Sequence, residues 1–173
     1  MPPSLALAEK WATETGRKTQ RILSDPLPDG SRLPTLMITQ GNFKILVGEQ
    51  GTCVLVFVWV KVPDNVRKKL ADLAPEDKQR LLITFRGELL SSSRTGFGFI
   101  PQKFDTIDQL EVFTTQQLLK ISEDDVSSFN RFCDALQETL TIAVKTMSVF
   151  EVLVSTQGPS STAVKPASDV LYG

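Results

Sequence analysis

Apolar residues recur along this chain at two spacings, three-to-four and two, and the switches between them divide it into elements. Leu5, Ala8, Trp11 or Ala12, Thr15, Thr19 and Ile22 follow one another at three and four residues, which predicts a surface helix over 3–23. The remaining face of that helix carries Lys10, Arg17, Lys18 and Arg21, four charges that read as a solvated face. Two prolines and an Asp-Gly pair make 25–30 a connector. The stretches 35–40, 42–48 and 52–62 are rich in β-branched and apolar residues. Short turns at Gln40-Gly41-Asn42 and Glu49-Gln50-Gly51 join them, so they predict an antiparallel meander.

Pro63 ends the third strand. Helical spacing resumes over 64–93, first through Val66, Leu70 and Leu73, then through Leu82, Phe85 and Leu89, with Pro75 starting the second part. Short and longer strands are predicted at 97–100 and 107–115. A final helix runs from Ser122, its expected N-cap, to about residue 154. Residues 155–173 are rich in Ser, Thr and Pro and are expected to form a flexible tail after a single α+β domain over 1–154. The predicted architecture is α+β, a five-stranded antiparallel sheet with helices in the order αβββαββα.

Two elements stand out. In the third strand Cys53, Leu55, Phe57 and Trp59 share one side while Val54, Val56, Val58 and Val60 share the other. Both sides are apolar, whereas a sheet with one wet face alternates with polar residues. Burying the four valines is worth roughly 6–12 kcal/mol, so this side is expected to be covered by helices or by a second subunit. In the last helix Val126, Phe129, Cys133, Leu136, Leu140, Ala143, Met147, Phe150 and Val154 form an unbroken heptad seam, ~45 Å long at the helical rise. Phe132, Val144, Val149 and Leu153 widen it toward ordinary core burial.

Composition narrows the function classes. With 19 Lys and Arg against 20 Asp and Glu, a net charge of −1 argues against a chain built to neutralise nucleic-acid phosphates. The chain has no histidine, which removes His-ligated zinc and Ser-His-Asp or Cys-His chemistry. Cys53 and Cys133 lie 80 residues apart and are expected as free buried thiols in a reducing cytoplasm. No signal-peptide pattern opens the sequence, and the apolar run 53–60 is far short of the ~20 residues that span a bilayer, so no membrane partner is expected. No phosphate-binding glycine pattern occurs, and Glu123-Asp124-Asp125 is explained by a helix N-terminus without a metal. No catalytic, cofactor-binding or metal-binding residue is assigned.

Val62-Pro63, Leu81, Phe85, Arg86, Leu89-Leu90, Phe97-Gly98-Phe99, the strand 107–113 and the acidic start of the last helix resemble a family of uncharacterised, mainly archaeal proteins. That family, a domain of unknown function, has the type III secretion chaperone-like fold. The resemblance covers residues 3–154 and implies a homodimer that binds extended segments of client proteins. The expected function is therefore a non-enzymatic, cytoplasmic protein-interaction module, a homodimer with a protein client. Its contact surface would be the valine side of the third strand (Val54, Val56, Val58, Val60) or the end of the long helix (Met147, Phe150, Val154). The competing reading is a small-molecule binder or enzyme with a pocket between sheet and helices lined by Phe57, Trp59 and Phe97.

Overall fold

The first helix ends earlier than its apolar spacing suggests, and a glycine is the reason. The computed structural model describes residues 3–24, 32–41 and 43–156, with side chains from 4 to 150. In it α1 spans Pro3–Glu14. Gly16 follows in the left-handed region at φ 76°, which costs glycine little because it has no Cβ. The Arg17 N–H reaches back to the Ala12 carbonyl (3.0 Å) and the Gly16 N–H to that of Thr13 (2.9 Å), the paired bonds that close a helix at a left-handed glycine. Lys18–Leu23 then forms a strand, β1, rather than a further helical turn.

The meander comes next: β2 (Pro34–Gln40), β3 (Phe43–Gln50) and β4 (Cys53–Lys61). Each pairs antiparallel with the one before it, and β1 pairs with β2. Gly41 and Gly51, both at φ 61°, supply the left-handed positions of the two turns. Two helices follow, α2 (Asp64–Ala71) and α3 (Pro75–Leu89), the second with Pro75 in its first turn. After β5 (Gly96–Ile100) comes a 3₁₀ turn at Ile107–Gln109, then β6 (Val112–Leu119) and the long α4 (Val126–Thr156).

The sheet has six antiparallel strands in the order β1-β2-β3-β4-β6-β5, not five, and the sequence order is αββββααββα. The sixth strand is β1, hidden in the helical spacing over 3–23. The strand expected over 107–115 lies five residues later at its start, because Ile107 and Leu110 are buried by the 3₁₀ turn instead. The last helix starts at Val126, so Glu123 and Asp124 precede it. Its cap is Asp125 and not Ser122: the Asp125 carboxylate accepts the Ser127 N–H at 2.9 Å. The expected tail over 157–173 and the connector at 25–31 lie outside the described residues.

The chain gathers into two compact units, one from 1–58 and 116–140, the other from 59–115 and 141–173. In the first, Leu5, Ala8 and Trp11 of α1 are buried with Leu36, Val47 and Val56 of the strands and Phe132 and Leu136 of α4. Trp11 stands edge-on to Phe129 (5.8 Å, 86°) and tilted on Phe132 (5.9 Å). The second unit is built on Phe85 of α3, whose ring lies 5.4 to 6.1 Å from those of Phe99, Phe113 and Phe150. Among the described residues no helix is long and apolar enough to cross a membrane.

Four bonds converge on Asp125, from the Ser127 N–H and hydroxyl, the Ser128 hydroxyl and the Arg131 guanidinium. The serine hydrogen bonds hold its carboxyl below the ordinary aspartate value of 3.8, with Arg131 adding to them. A depressed carboxyl contributes stability that is present above the unfolded value and lost as pH falls through the folded one. Asp125→Ala is therefore expected to lower the thermal midpoint by roughly 2–4 °C at pH 7. The deficit should fade below about pH 3.8; thermal melts of both proteins across pH 2.5–7 check it.

Candidate functional site

The strand register sorts the side chains of the first unit into two sides. One row runs Arg21–Leu36–Val47–Val56. Side-chain contacts place α1 and α4 against that side. The Ser4 hydroxyl of α1 donates to Glu49, which pairs with Val54 across β3 and β4. Arg21 of β1 donates to Glu9 of α1 (2.9 Å), and Gln40 of β2 donates to Gln137 of α4 (2.9 Å). Gln117 of β6 meets Glu138 of α4 at 3.0 Å.

The valines of β4 belong to this covered side. Val54, Val56, Val58 and Val60 are 0–3% exposed in the single chain. Met147 and Phe150 are likewise buried, and the Val154 side chain lies outside the described residues. In the single chain the valine side and these two helix residues are thus covered by the chain's own packing.

The other side is different. It carries the rows Gln20–Met37–Leu46–Phe57 and Ile22–Thr35–Gly48–Leu55, bordered by Lys18–Thr39–Lys44. None of the contacts made by α1 or α4 described above falls on it. Ile22, Met37, Leu46, Leu55 and Phe57 are half-buried where the valines are sealed. Trp59, next on that side of β4, is 48% exposed. The Phe57 ring leans over Gly48, 3.9 Å from where a Cβ would stand, so the glycine leaves a shallow shelf in the sheet surface. Gln116 and Leu118 alternate with the helix-facing Gln117 on β6, and Leu118 is 56% exposed.

Charge is sorted in the same way. In the first unit Glu9, Glu49 and Glu138 all engage the helix side. Among the described residues, the helix-free positions of β1 to β4 and of β6 carry Lys18, Lys44 and Lys61 and no carboxylate. The basic face expected on a first helix does not exist as such. Lys18 and Arg21 are on β1, Lys10 pairs with Glu123 (2.8 Å), and Arg21 pairs with Glu9. Those partners raise the Lys10 and Arg21 values and lower that of Glu123, each through a hydrogen bond first and charge second.

Other chemistry is thin. Among the described residues no three His, Cys, Asp or Glu side chains gather to hold a metal ion. Cys53 and Cys133 are free and half-buried rather than buried. Burial pushes the Cys133 thiol up from its ordinary value. A hollow of about 260 Å³ at the end of β1 and β2 is lined by Leu5, Arg21, Ile22, Leu23, Pro34, Thr35 and Leu36. Its one cation, Arg21, is already held by Glu9. Phe57, Trp59 and Phe97 do not line it; Phe97 is 38% exposed and packs on Phe99 at 5.3 Å.

Comparison with known proteins bears on the fold. An uncharacterised protein from Methanothermobacter thermautotrophicus shares it, with a TM-score of 0.67 at 12% identity, over 86% of this chain and 97% of that one. YbjN, a putative transcription regulator from E. coli, aligns at a TM-score of 0.49 and 14% identity, over 88% of this chain and 93% of that one. No protein-family model and no curated protein matches. At 12% identity the likeness to the Methanothermobacter protein shows the fold alone, and neither neighbour is described as a secretion chaperone.

Residues one apart on β4 should answer the sidedness. Val56→Lys places an ammonium in the sealed core, costs several kcal/mol and should abolish the folded circular-dichroism spectrum. Phe57→Lys puts the same charge on the helix-free side and should cost roughly 1 kcal/mol in urea unfolding. Equal damage from the two would show that both sides are sealed.

Proposed function

We propose that this chain is a non-enzymatic protein-interaction module that docks a segment of another protein on the helix-free side of its first unit. The observation that carries the reading is the cross-strand row Met37–Leu46–Phe57 with Leu55 and Ile22 beside it, apolar and partly open in the single chain. Four strands at about 4.8 Å spacing and five residues of length make a strip about 14 Å by 17 Å. A helix of three to four turns, roughly 16–22 Å long and about 10–12 Å wide, covers such a strip. Removing ~300 Å² of apolar surface from water on each partner, ~600 Å² in all, is worth roughly 15 kcal/mol; an association cost of roughly 7 kcal/mol then leaves a micromolar, transient contact. A sheet side bearing half-open Phe, Met and Leu in place of the usual polar alternation is a recognition surface.

Selection from a random peptide library on the immobilised chain tests this. Recovered peptides should bind in the micromolar range and lose at least about tenfold in affinity toward Phe57→Lys. Peptides that bind Phe57→Lys as tightly, or no enrichment over background, would remove the reading.

A homodimer is the second reading, and β5 favours it. It is an edge of the sheet, its five residues Gly-Phe-Gly-Phe-Ile carry no charge, and Phe97 and Ile100 are 38% and 42% exposed. The opposite edge, β1, carries Lys18 and Arg21, the charges that blunt edge pairing. Antiparallel pairing of β5 with the same strand of a second copy would bring no like charges together. Light scattering should then give a dimer mass that Phe97→Lys converts to monomer; a wild-type monomer up to about 100 µM, well above the range of a stable dimer, would sink it.

A further inference from the structure

The backbone of β5 says how this edge strand would meet its own copy. We infer that β5 pairs with β5 of a second copy in one register, centred on Gly98, with Phe97 of each copy opposite Phe99 of the other. The inference rests on the homodimer reading and adds to it the register and the contacts that hold it. The Ile100 carbonyl accepts the Glu111 N–H (2.8 Å) just before β6, so the backbone groups of Ile100 turn toward β6. Those groups alternate along a strand. Gly96 and Gly98 therefore turn the same way, while Phe97 and Phe99 direct theirs to the open edge.

Side chains alternate too. Phe97 and Phe99 share one side, where the Phe99 ring lies 5.3 Å from that of Phe97, 5.2 Å from Phe104 and 6.1 Å from Phe85 of α3. Gly98 and Ile100 share the other; a Cβ on Gly98 would stand 2.9 Å from the Thr114 hydroxyl of β6. Turning a second copy about an axis through Gly98 joins Phe97 and the other copy's Phe99 by two backbone hydrogen bonds, and Phe99 and the other copy's Phe97 by two more. On the ring side each Phe97, 38% exposed, then lies beside the other copy's Phe99 and carries the row of rings across the axis. On the opposite side each Ile100, 42% exposed, stands over a Gly96 that has no side chain to obstruct it. An axis at Phe97 or Phe99 instead keeps only two of the four bonds within the strand. The run Gly-Phe-Gly-Phe-Ile is thus complementary to itself in this register, and that selects a second copy as the occupant of the edge. Strands of five residues bury less than ~1,200 Å² in all, the range of weak, concentration-dependent association.

Cysteine cross-linking and amide exchange test the register. Gly96 and the other copy's Ile100 form a non-hydrogen-bonded pair with Cα atoms ~4.5 Å apart, within disulfide range. Under copper-phenanthroline oxidation at 100 µM, Gly96→Cys/Ile100→Cys should give at least about tenfold more covalent dimer than either single variant, whose new thiols lie ~14 Å apart along the strands. The wild-type chain with Cys53 and Cys133 sets the background. In the wild type, dilution from 100 to 1 µM should speed amide exchange at Phe97 and Phe99 at least about threefold and leave Gly98 and Ile100 unchanged; this decides alone if the double variant does not fold. A dimer that Phe97→Lys dissociates, in which the double variant cross-links no more than the single ones, would overturn the register and leave the homodimer standing. A wild-type monomer at 100 µM would remove both. Protected Phe97 and Phe99 amides in a monomer would show that the chain covers its own edge, and would overturn the inference as well.

Discussion

In the first unit, helices stand against one side of a sheet whose central strand is apolar on both. β4 carries valine at every second position and Cys53, Leu55, Phe57 and Trp59 between them. α1 and the first half of α4 supply enough Leu, Ala, Trp and Phe to seal the valine side completely. Contacts at Glu49, Arg21 and Gln40 hold those helices to that side. The second apolar side of β4 then stays partly open. Its neighbours have a mixed character, Thr35, Thr39 and Lys44 surrounding Met37 and Leu46, so the exposed apolar area remains a central strip rather than the whole side. A strip of that size stays within the few hundred Å² of contiguous apolar surface that folded monomers carry.

How much of this could be read beforehand depended on whether a local signal or a tertiary one decided the matter. The meander was legible because its signals are local: β-branched runs interrupted by Gly41 and Gly51, each of which sits at positive φ. Pro63 and Pro75 punctuated the helices for the same reason. The end of α1 was missed because Thr15, Thr19 and Ile22 continue a helical spacing by coincidence, while Gly16 between them carries the backbone reversal. A glycine followed by the alternation of Lys18–Leu23 was the available signal, and it outweighs three weakly apolar positions. The site was harder. Nothing within β4 says which of two apolar sides the helices will choose; only side chains far away in sequence, Ser4, Glu9 and Gln137, settle that. Once the turns fix the register, however, Met37 falls opposite Leu46 and Leu46 opposite Phe57 by counting, so the strip itself lay within reach of the sequence.

The long helix makes a related point about width. Its heptad seam from Leu136 to Phe150 is buried, as an ordinary core helix would have it, but Phe132, Ala135, Thr139, Ile142 and Thr146 are buried too. A second stripe beside the first makes the apolar arc too broad for a two-helix coiled coil, which uses only the narrow seam. Val126, the first member of the seam, is 87% exposed, so the pattern begins a turn before the packing does. Periodicity identified the element and its inward residues, and the arc width, not the length, says what kind of partner the helix needs: strands and rings of its own chain.

Ion pairs, like the packing, gather on the side where the helices stand. Exposed ion pairs such as Lys10–Glu123 and Arg21–Glu9 add little to stability, since both partners are solvated and screened. Their consequence is distributional. Among the described residues Glu9 and Glu49 engage the side where α1 and α4 stand, while Lys18, Lys44 and Lys61 fall on helix-free positions. The apolar strip would accept any segment with the right outline, because burial of hydrocarbon is indifferent to sequence. On the proposed docking surface the apolar contribution would therefore come from the Met37–Leu46–Phe57 row, whose alignment across β2, β3 and β4 the strand register fixes.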